Sequence, residues 1–505
     1  MKRWGLIGFV TLGVLASVGC SSDGGNTDNQ AAGGQGGAGG SAAGATGGMA
    51  GSGGSTAMTH AAQGVSIQEV AIYQGVKRSL MVGGQAMDSD VPLIAGRDAL
   101  VRVFYATDAS YAGAEVTARL NLAGGDPIEV KATLGGASTD AELETTLNFQ
   151  VPGARIGENL DWSVEILEDG DGADNPDARF PAEGSSPLAV EGKANTFRII
   201  LAPFRYNADG SGRLPNLDET QVKKITDRIK SLYPVSEVET RVRDVTEWSG
   251  ALGPDGSGWQ QLGITLAGFR NSDGEGDDVY YYGIFNPADS FFGYCGSGCL
   301  LGVTLLNNNP PETGSAFLRL ALGVGFETYA ASTAAHELGH AHGREHVLCG
   351  PGLDPSSVDK NYPHDGKTIG VWGYDITTGE LRDPAKYSDI MGYCNTQHIS
   401  DYNYRALFER GQRVNLAQVI GELDYDVITV DGSGAAEFAT SLVRQSPLEG
   451  LAVEVSGQDA QGTRSVRGEF FHYDHLPGGW LVIPKDTRLE RAEFVVDGQR
   501  YQVRR

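Results

Sequence analysis

The stretch HELGHAHGREH, residues 336–346, decides how this chain is interpreted. The residues before it are rich in alanine and favour a helix. His336 and His340 lie one helical turn apart, so both imidazoles face the same way and can hold one metal ion. Gly343 ends the helix at a sharp turn, which glycine makes at least cost, and the turn brings His346 back as a third ligand.

Three neutral imidazoles leave one coordination position open, which is typical of catalytic zinc rather than structural zinc. Zinc lowers the pKa of its bound water and polarises a carbonyl group. Glu337 can take a proton from that water as general base and deliver it to a leaving amine. A structural zinc site or a surface histidine cluster would not explain Glu337 and Gly343 together. His342 points to another side of the helix, and we interpret it as a bystander.

The motif resembles that of the metzincin clan of zinc peptidases at every defining position. A second feature of that clan is a tight turn with a methionine beneath the zinc. The stretch SDIMGYC, residues 388–394, resembles this turn, and Met391 would form the floor of the site. The resemblance covers roughly residues 197–415. It implies an endopeptidase with one catalytic Zn²⁺, a twisted mixed sheet with backing and active-site helices, and a protein or glycoprotein substrate.

Tyr393 stands two places after this methionine. In astacin-like and serralysin-like metzincins, a tyrosine at this spacing is a switchable zinc ligand that stabilises the transition state. The resemblance therefore implies a catalytic role, and a tyrosine that only packs beside the turn is the alternative. Val347 follows the third histidine, where astacins, serralysins, reprolysins and matrixins carry other residues. In its architecture the chain is closer to the mucin-cleaving M66 peptidases.

Four of the five cysteines fall in this region. Cys349 lies three residues after the third histidine, and Cys394 lies three residues after the methionine. A disulfide between them would tie the third-ligand loop to the methionine turn and stabilise the fold by about 4 kcal/mol. Cys295 and Cys299 would then close a small local loop. A second metal site made of four cysteines is the alternative, which an oxidising compartment disfavours.

Residues 1–20 predict a lipoprotein signal peptide. A basic start is followed by an apolar stretch, residues 6–18, that is too short to span a bilayer comfortably. Small residues then precede Cys20, which resembles the lipidated cysteine of a bacterial lipobox, although Ser17 stands where leucine is usual. Ordinary secretory cleavage nearby is the alternative. We expect either a lipid-anchored protein of the cell envelope, at the outer membrane or cell surface, or a secreted one.

Composition and patterning divide the rest of the chain. Residues 21–62 are rich in glycine, alanine and serine and predict a flexible linker. Short alternating runs over residues 63–195 predict a β-sandwich domain. Strand–helix–strand succession over residues 196–418 predicts the peptidase domain, and residues 419–505 predict a C-terminal β module. The predicted fold class is therefore α+β multidomain, with a metzincin-like catalytic domain flanked by all-β sandwich modules.

Four local features complete the predicted domain. Apolar spacing predicts a helix over residues 222–232 that Pro234 closes. Alanine content predicts a second helix over residues 328–341. The strand Val279–Phe285 is a candidate for the sheet edge that pairs with extended substrate, and an ordinary core strand is the alternative. Residues 372–375 are expected to line the cleft.

The chain has 64 acidic and 39 basic residues, and its net charge of −25 argues against nucleic acid or an anionic membrane surface as a partner. Membrane contact is expected only through the N-terminal lipid, and the oligomeric state is not indicated.

The acidic run 168–174 has some similarity to a calcium loop, but Phe180 stands where such a loop needs glutamate. We prefer a solvated turn and keep calcium as the alternative.

The sequence therefore favours a zinc endopeptidase that hydrolyses extracellular proteins or glycoproteins. The alternative is an adhesin-like surface lipoprotein in which the β domains bind a partner and the zinc site is vestigial or structural. Glu337 disfavours that alternative, since a vestigial site has no need of a general base. A zinc hydrolase that is not a peptidase is a third interpretation, and the methionine turn counts against it.

Overall fold

A computed structural model describes residues 59–505, apart from 194, 277, 297, 307–317, 352, 354–357, 395, 415–422, 445–447, 449, 460–461 and 486–488. The predicted signal peptide, Cys20 and most of the predicted linker lie outside the described residues. From residue 57 onward the chain forms a single compact unit. No helix in the described part of the chain combines the length and the apolar character needed to cross a membrane.

The first module is a β-sandwich of two antiparallel sheets. Its strands are β1 (Thr59–Ala61), β2 (Val65–Tyr73), β3 (Lys77–Val82), β4 (Gln85–Ala86), β5 (Ala99–Thr107), β6 (Glu115–Leu122), β7 (Ile128–Thr133), β8 (Leu147–Val151), β9 (Asn159–Asp169), β10 (Arg179–Phe180) and β11 (Ser186–Ala189). One sheet has the order β1-β9-β6-β7, with β10 and β11 also on β9, and the other has the order β4-β3-β2-β5-β8. Alternate side chains of both sheets, including Phe149 and Trp162, fill the space between them.

Two details of this module differ from the sequence-based expectations. Strand β1 lies within the segment predicted as linker, because Ala61 and Ala62 are buried in the sandwich core. In the acidic run, the Glu168 carboxylate is already engaged by the His60 ring at 2.9 Å and by the Gln63 N–H at 3.0 Å. The metal-capable clusters found among the described residues lie elsewhere, and so the structure offers nothing in favour of calcium here.

The central module is built on a mixed sheet. Its strands are β12 (Thr196–Tyr206), β13 (Glu237–Val242), β14 (Thr246–Trp248), β15 (Val279–Phe285), β16 (Gly302–Thr304) and β17 (Leu320–Val324). The order is β13-β12-β15-β17-β16, with β14 also beside β12. All neighbours are parallel except β16, which runs antiparallel to β17 at the edge. Strand β16 therefore forms this edge, and Val279–Phe285 is the core strand that was the alternative interpretation, since β15 is central and buried on both faces.

Helices cover both faces of this sheet. They are α1 (Glu219–Leu232), α2 (Trp259–Ser272), α3 (Phe291–Cys295), α4 (Glu327–Ala341) and α5 (Asp401–Val414). Helices α1 and α4 share a core with Tyr280, Tyr282 and Ile284, whereas α2 packs against Tyr281 and Phe285. Successive residues of β15 thus alternate between the two layers, as the pleat of a strand requires. The predicted helices over 222–232 and 328–341 correspond to α1 and α4.

Four short strands follow α4, namely β18 (Gly373–Asp375), β19 (Glu380–Arg382), β20 (Ser388–Asp389) and β21 (Gln397–His398). Strand β18 lies against the sandwich module, where Tyr374 packs with Tyr73 and Phe104. The expectation that residues 372–375 line the cleft was therefore wrong. Buried Arg97 also joins these two modules, since it donates to the carbonyl groups of Val235 at 2.6 Å and Lys230 at 2.7 Å.

The C-terminal module is one antiparallel sheet of seven strands. These are β22 (Leu423–Val430), β23 (Ala436–Arg444), β24 (Leu451–Asp459), β25 (Gly462–His472), β26 (Gly479–Pro484), β27 (Arg491–Val496) and β28 (Gln499–Arg504), in the order β23-β22-β26-β25-β24-β27-β28. The predicted sandwich is replaced by a single sheet that curves around its own core, since its edge strands β23 and β28 also lie against each other. Val427 and Trp480 pack into the core around α2, while Ile428 and Leu481 form a core within the module.

The structure therefore combines a mixed α/β core with β modules on either side, in agreement with the α+β multidomain class. The C-terminal module shares a hydrophobic core with the central one, so the two are held together by packing rather than by a thin contact.

Candidate metal centre

Helix α4 and the turn after it bring the three predicted histidines together. The Nε2 atoms of His336 and His340 lie 2.9 Å apart on the same side of the helix. Gly343 adopts a φ of +80°, the left-handed region that favours glycine, and its N–H donates to the His340 carbonyl at 2.7 Å. The reversed chain then places the His346 Nε2 atom 3.1 Å from that of His340.

Two carbonyl groups fix the tautomers of the helical histidines. The Nδ1 atom of His336 lies 2.7 Å from the Ile390 oxygen, and that of His340 lies 2.5 Å from the Arg344 oxygen. Because a carbonyl oxygen only accepts, Nδ1 carries the hydrogen in both rings. Both Nε2 atoms are therefore lone-pair donors that point at each other, an arrangement that a cation between them would stabilise.

Burial keeps these rings neutral. It lowers the pKa of His336 to about 4, and burial together with the charge of His346 lowers the pKa of His340 as well. Neutral imidazoles are the form that ligates metal ions, so at neutral pH no proton has to leave before a metal binds. Nitrogen donors in this number and spacing fit a zinc ion, and the residues present therefore suit the metal that the sequence implies.

Glu337 lies beside the cluster and is only 2 % exposed. Its Oε2 atom has no hydrogen-bond partner within the described part of the chain. Burial raises the pKa of this carboxyl, and the nearby Asp474 carboxylate raises it further. A β-carbon at Gly302 would lie 2.3 Å from Glu337 Oε1, so only glycine lets the edge strand approach this carboxylate so closely.

A cleft of about 720 Å³ opens beside the cluster. Its walls include His336, Glu337 and Tyr393, one side of α4, and the segment that leads into β16. The described residues that line it all fall between positions 228 and 476, so the sandwich module contributes none of them. A peptide could reach the histidine cluster through this opening.

Met391 lies beneath the cluster and is fully buried. A β-carbon at Gly339 of α4 would lie 2.5 Å from the Met391 sulfur, so helix and turn are in close contact. The buried carboxylate of Asp389 shapes the turn, since it accepts the Met391 N–H at 2.8 Å and the Ser400 N–H at 2.9 Å. The Met391 carbonyl accepts the Val347 N–H at 3.0 Å, which fixes the loop after the third histidine.

Both expected disulfides are present. Cys349 and Cys394 are joined with a Cα–Cα distance of 5.3 Å, and Cys295 is joined to Cys299. The Tyr393 N–H also donates to the Cys349 carbonyl at 2.6 Å. The third-ligand loop is thus linked to the methionine turn by a covalent bond and by hydrogen bonds, and a four-cysteine metal site is excluded.

Tyr393 reaches the cluster from the same turn. Its hydroxyl lies 3.1 Å from the His346 Nε2 atom, and its pKa is raised by burial and by the carboxylates of Glu337 and Asp474.

His342 faces away from the cluster. Its ring stacks on Tyr280 at 4.5 Å, and its Nδ1 atom lies 2.7 Å from the Leu338 carbonyl oxygen.

A fourth histidine, which the sequence analysis did not single out, also reaches the site. His475 lies in the hairpin loop (residues 473–478) between β25 and β26, and its Nε2 atom is 3.0 Å from that of His346. Its neighbour Asp474 has a fully buried side chain, 3.5 Å from the His340 Nε2 atom. The only signal in the sequence is an Asp-His pair before a Pro-Gly-Gly turn, which says nothing about the surface that the loop meets.

Comparison with known proteins gives one family match. Residues 320–411 match the family model described as Peptidase M66, a segment that contains α4, the histidine motif and the methionine turn. This match and the buried histidine cluster support a metallopeptidase of M66 type. No curated protein matches the chain.

One solved structure, described as "Structure of a chaperone-substrate complex", is similar over 54% of this chain at 13% identity and a TM-score of 0.24. The chain covers 40% of that structure's length. A similarity of this size carries no conclusion about fold or function.

Proposed function

We propose that this protein is a zinc-dependent endopeptidase of the metzincin type that hydrolyses extracellular proteins or glycoproteins. The observation that carries the proposal is the convergence of three imidazole Nε2 atoms with a buried carboxylate at the wall of an open cleft. His336, His340 and His346 would hold the ion. When bound, zinc supplies a Lewis acid and lowers the pKa of a coordinated water.

Glu337 is placed to act as the general base and then as the acid. Its Oε2 atom has no hydrogen-bond partner among the described residues and lies at the wall of the cleft, so it can accept the proton of the attacking water. The same oxygen can then deliver that proton to the departing amine nitrogen. The Tyr393 hydroxyl, which stays protonated, can donate a hydrogen bond to the oxyanion that develops on the scissile carbonyl.

The edge strand offers a place for the substrate backbone. In β16, Thr304 turns its N–H and C=O away from β17, because both groups bond to Asp474. Gly302, two residues earlier, turns its backbone groups the same way, since strand residues alternate. An extended peptide could therefore pair with Gly302 as an added strand, with its scissile bond next to Glu337.

Glu337→Gln tests this function. The purified protein, loaded with one equivalent of zinc, is incubated with casein and with mucin, and fragments are followed by electrophoresis. We expect the variant to lose at least about 100-fold in cleavage rate, because a positioned general base contributes about 10²–10⁴. Its zinc content should stay the same, since the carboxylate is not one of the proposed ligands.

Glu345→Gln is the matched control, because it makes the same substitution within the same motif but outside the metal cluster. It should cleave as the unaltered protein does. Equal cleavage by the Glu337→Gln protein would contradict the proposal. Absence of cleavage by zinc-loaded unaltered protein would also contradict it and would favour the adhesin-like binding lipoprotein.

The proposed location is the cell envelope, with the chain held there by a lipid on Cys20. The sequence of residues 1–20 supports this proposal, and the acidic composition is compatible with a working domain kept off the membrane surface. Expression in a bacterial host followed by membrane fractionation tests it. We expect the protein in the membrane fraction and its Cys20→Ser variant in the soluble or secreted fraction. Identical fractionation of both would contradict the anchor.

A further inference from the structure

The hairpin loop brings His475 into the metal centre from the C-terminal module. The ligand-type nitrogen atoms of His475, His336, His340 and His346 all lie within 4.8 Å of one another. The His475 side chain is only 11 % exposed, so it is enclosed with the other three rings. Four imidazoles are thus gathered where the motif alone accounts for three.

The ring of His475 also turns its Nε2 atom toward the cluster. Its Nδ1 atom lies 2.5 Å from the Asp474 carboxylate, an ion-pair contact rather than an aligned hydrogen bond of the kind that holds His336 and His340. This contact leaves Nε2 to face the cluster, 3.0 Å from the His346 Nε2 atom. A carboxylate on the far nitrogen is a common support of metal-binding histidines, because it sets the tautomer and raises ligand basicity.

Backbone pairing holds the loop in this place. Thr304 of β16 donates its N–H to the Asp474 carboxylate at 2.9 Å and accepts the Asp474 N–H at 3.2 Å. The Leu306 N–H donates to the His472 carbonyl at 2.8 Å. The loop therefore extends the edge of the central sheet, and its approach to the site is fixed by the same strand that lies against Glu337.

Packing inside the C-terminal module adds to this support. Trp480, at the start of β26, is 1 % exposed and lies in the core shared with α2. Its Nε1–H donates to the Tyr473 hydroxyl at 2.8 Å, across the base of the loop. Since the loop is held from both sides, the position of His475 follows from the fold.

We propose that His475 is a fourth protein ligand of the metal ion, so that the C-terminal module completes a four-histidine site. The inference rests on the proposed zinc site and deepens it. Asp474 is a positioning residue that orients the ring. Zinc centres can expand to five ligands, so a fourth histidine would still leave one position for the water that the proposed hydrolysis needs.

X-ray absorption at the zinc edge of the unaltered, zinc-loaded protein tests the ligand set directly. We expect four imidazole ligands at about 2.0–2.1 Å. Three imidazoles with one oxygen ligand would overturn the inference. This measurement needs no variant and is therefore independent of how any substitution affects folding.

Zinc affinity, measured by competition with a chromogenic chelator, is the second test. His475→Ala removes a proposed ligand and should weaken zinc binding by about 100-fold or more. Asp474→Asn removes only a residue that supports this ligand and should weaken zinc binding by about 10–100-fold. His340→Ala is the reference for loss of a motif ligand and should bind still more weakly. His472→Ala is the matched control, since this histidine of the same hairpin pairs with Asp497 at the surface and should leave affinity unchanged.

The outcomes separate this inference from the proposed function. Equal zinc affinity of the His475→Ala and His472→Ala proteins would overturn the fourth ligand, even if both proteins cleave casein. A four-imidazole spectrum from a protein that cleaves nothing would leave the ligand assignment standing and would overturn the peptidase. Circular dichroism of each variant checks that the fold is retained.

Discussion

Two regions of the chain contribute imidazoles to the same site by different means. Residues 336–346 supply three histidines through the geometry of one helix and one turn. The hairpin loop supplies one histidine from 129 residues beyond His346, through strand pairing and the packing of another module. The first region carries its arrangement in eleven consecutive residues, whereas the second has its position only when two modules are folded against each other.

This difference has a thermodynamic consequence. An ion held by ligands from both regions binds the docked modules more tightly than it binds either module alone. Ligand binding to one state stabilises that state by mass action, so metal binding should strengthen the contact between the hairpin loop and β16. Under this proposal, the C-terminal module is part of the metal site and helps to retain the ion.

The two regions are also held in place by different means. A disulfide holds the loop after residues 336–346, whereas packing holds the hairpin loop. The largest loss of stability is therefore expected from replacing both Cys349 and Cys394 with serine. These two cysteines are 45 residues apart in the sequence. In the chain-entropy model, loss of this cross-link costs about 4 kcal/mol of unfolding free energy. Denaturant unfolding of the zinc-free protein under non-reducing conditions measures it.

The second disulfide is the control. Cys295 and Cys299 are separated by only 4 residues, so their paired substitution to serine should cost about 2 kcal/mol in the same model. Equal losses from the two pairs, or a loss below 1 kcal/mol from the first, would mean that the third-ligand loop is held by its hydrogen bonds rather than by the disulfide.

The same contrast explains how much of the site the sequence could predict. The positions of His336, Glu337 and His340 follow from helical periodicity, and a glycine with positive φ accounts for the return of His346. These are local rules, and the structure places these residues together. The roles of Met391 and Tyr393 needed a resemblance to a known clan, because the turn lies dozens of residues away along the chain.

Other parts could not be predicted because they depend on tertiary packing. The run Val279–Phe285 was compatible with an edge strand and with a core strand, and only the structure decides for the centre of the sheet, where β15 is buried throughout. His475 was missed for a stronger reason. No local pattern shows that a loop of a β module will pair with β16 and point its imidazole at a helix of another module.

The last prediction addresses how the remote region is held, and its expected effect is the smallest. Trp480→Phe keeps an aromatic ring in the shared core but removes the Nε1–H that the Tyr473 hydroxyl accepts at 2.8 Å. A lost buried hydrogen bond and a smaller ring together should cost about 2 kcal/mol of unfolding free energy. The loop that carries His475 should loosen, so zinc affinity should fall by less than about 10-fold, below the 10–100-fold cost of losing a residue that directly supports a ligand.

Trp162→Phe is the control for that substitution. Trp162 is also fully buried, but in the core of the sandwich module, which contributes none of the described residues that line the cleft. It should lose similar stability and keep its zinc affinity. If both variants lose zinc affinity equally, the loop is not the link between packing and metal binding. If neither does, strand pairing with β16 alone is enough to hold His475, because Thr304 and Asp474 are bonded to each other in both directions.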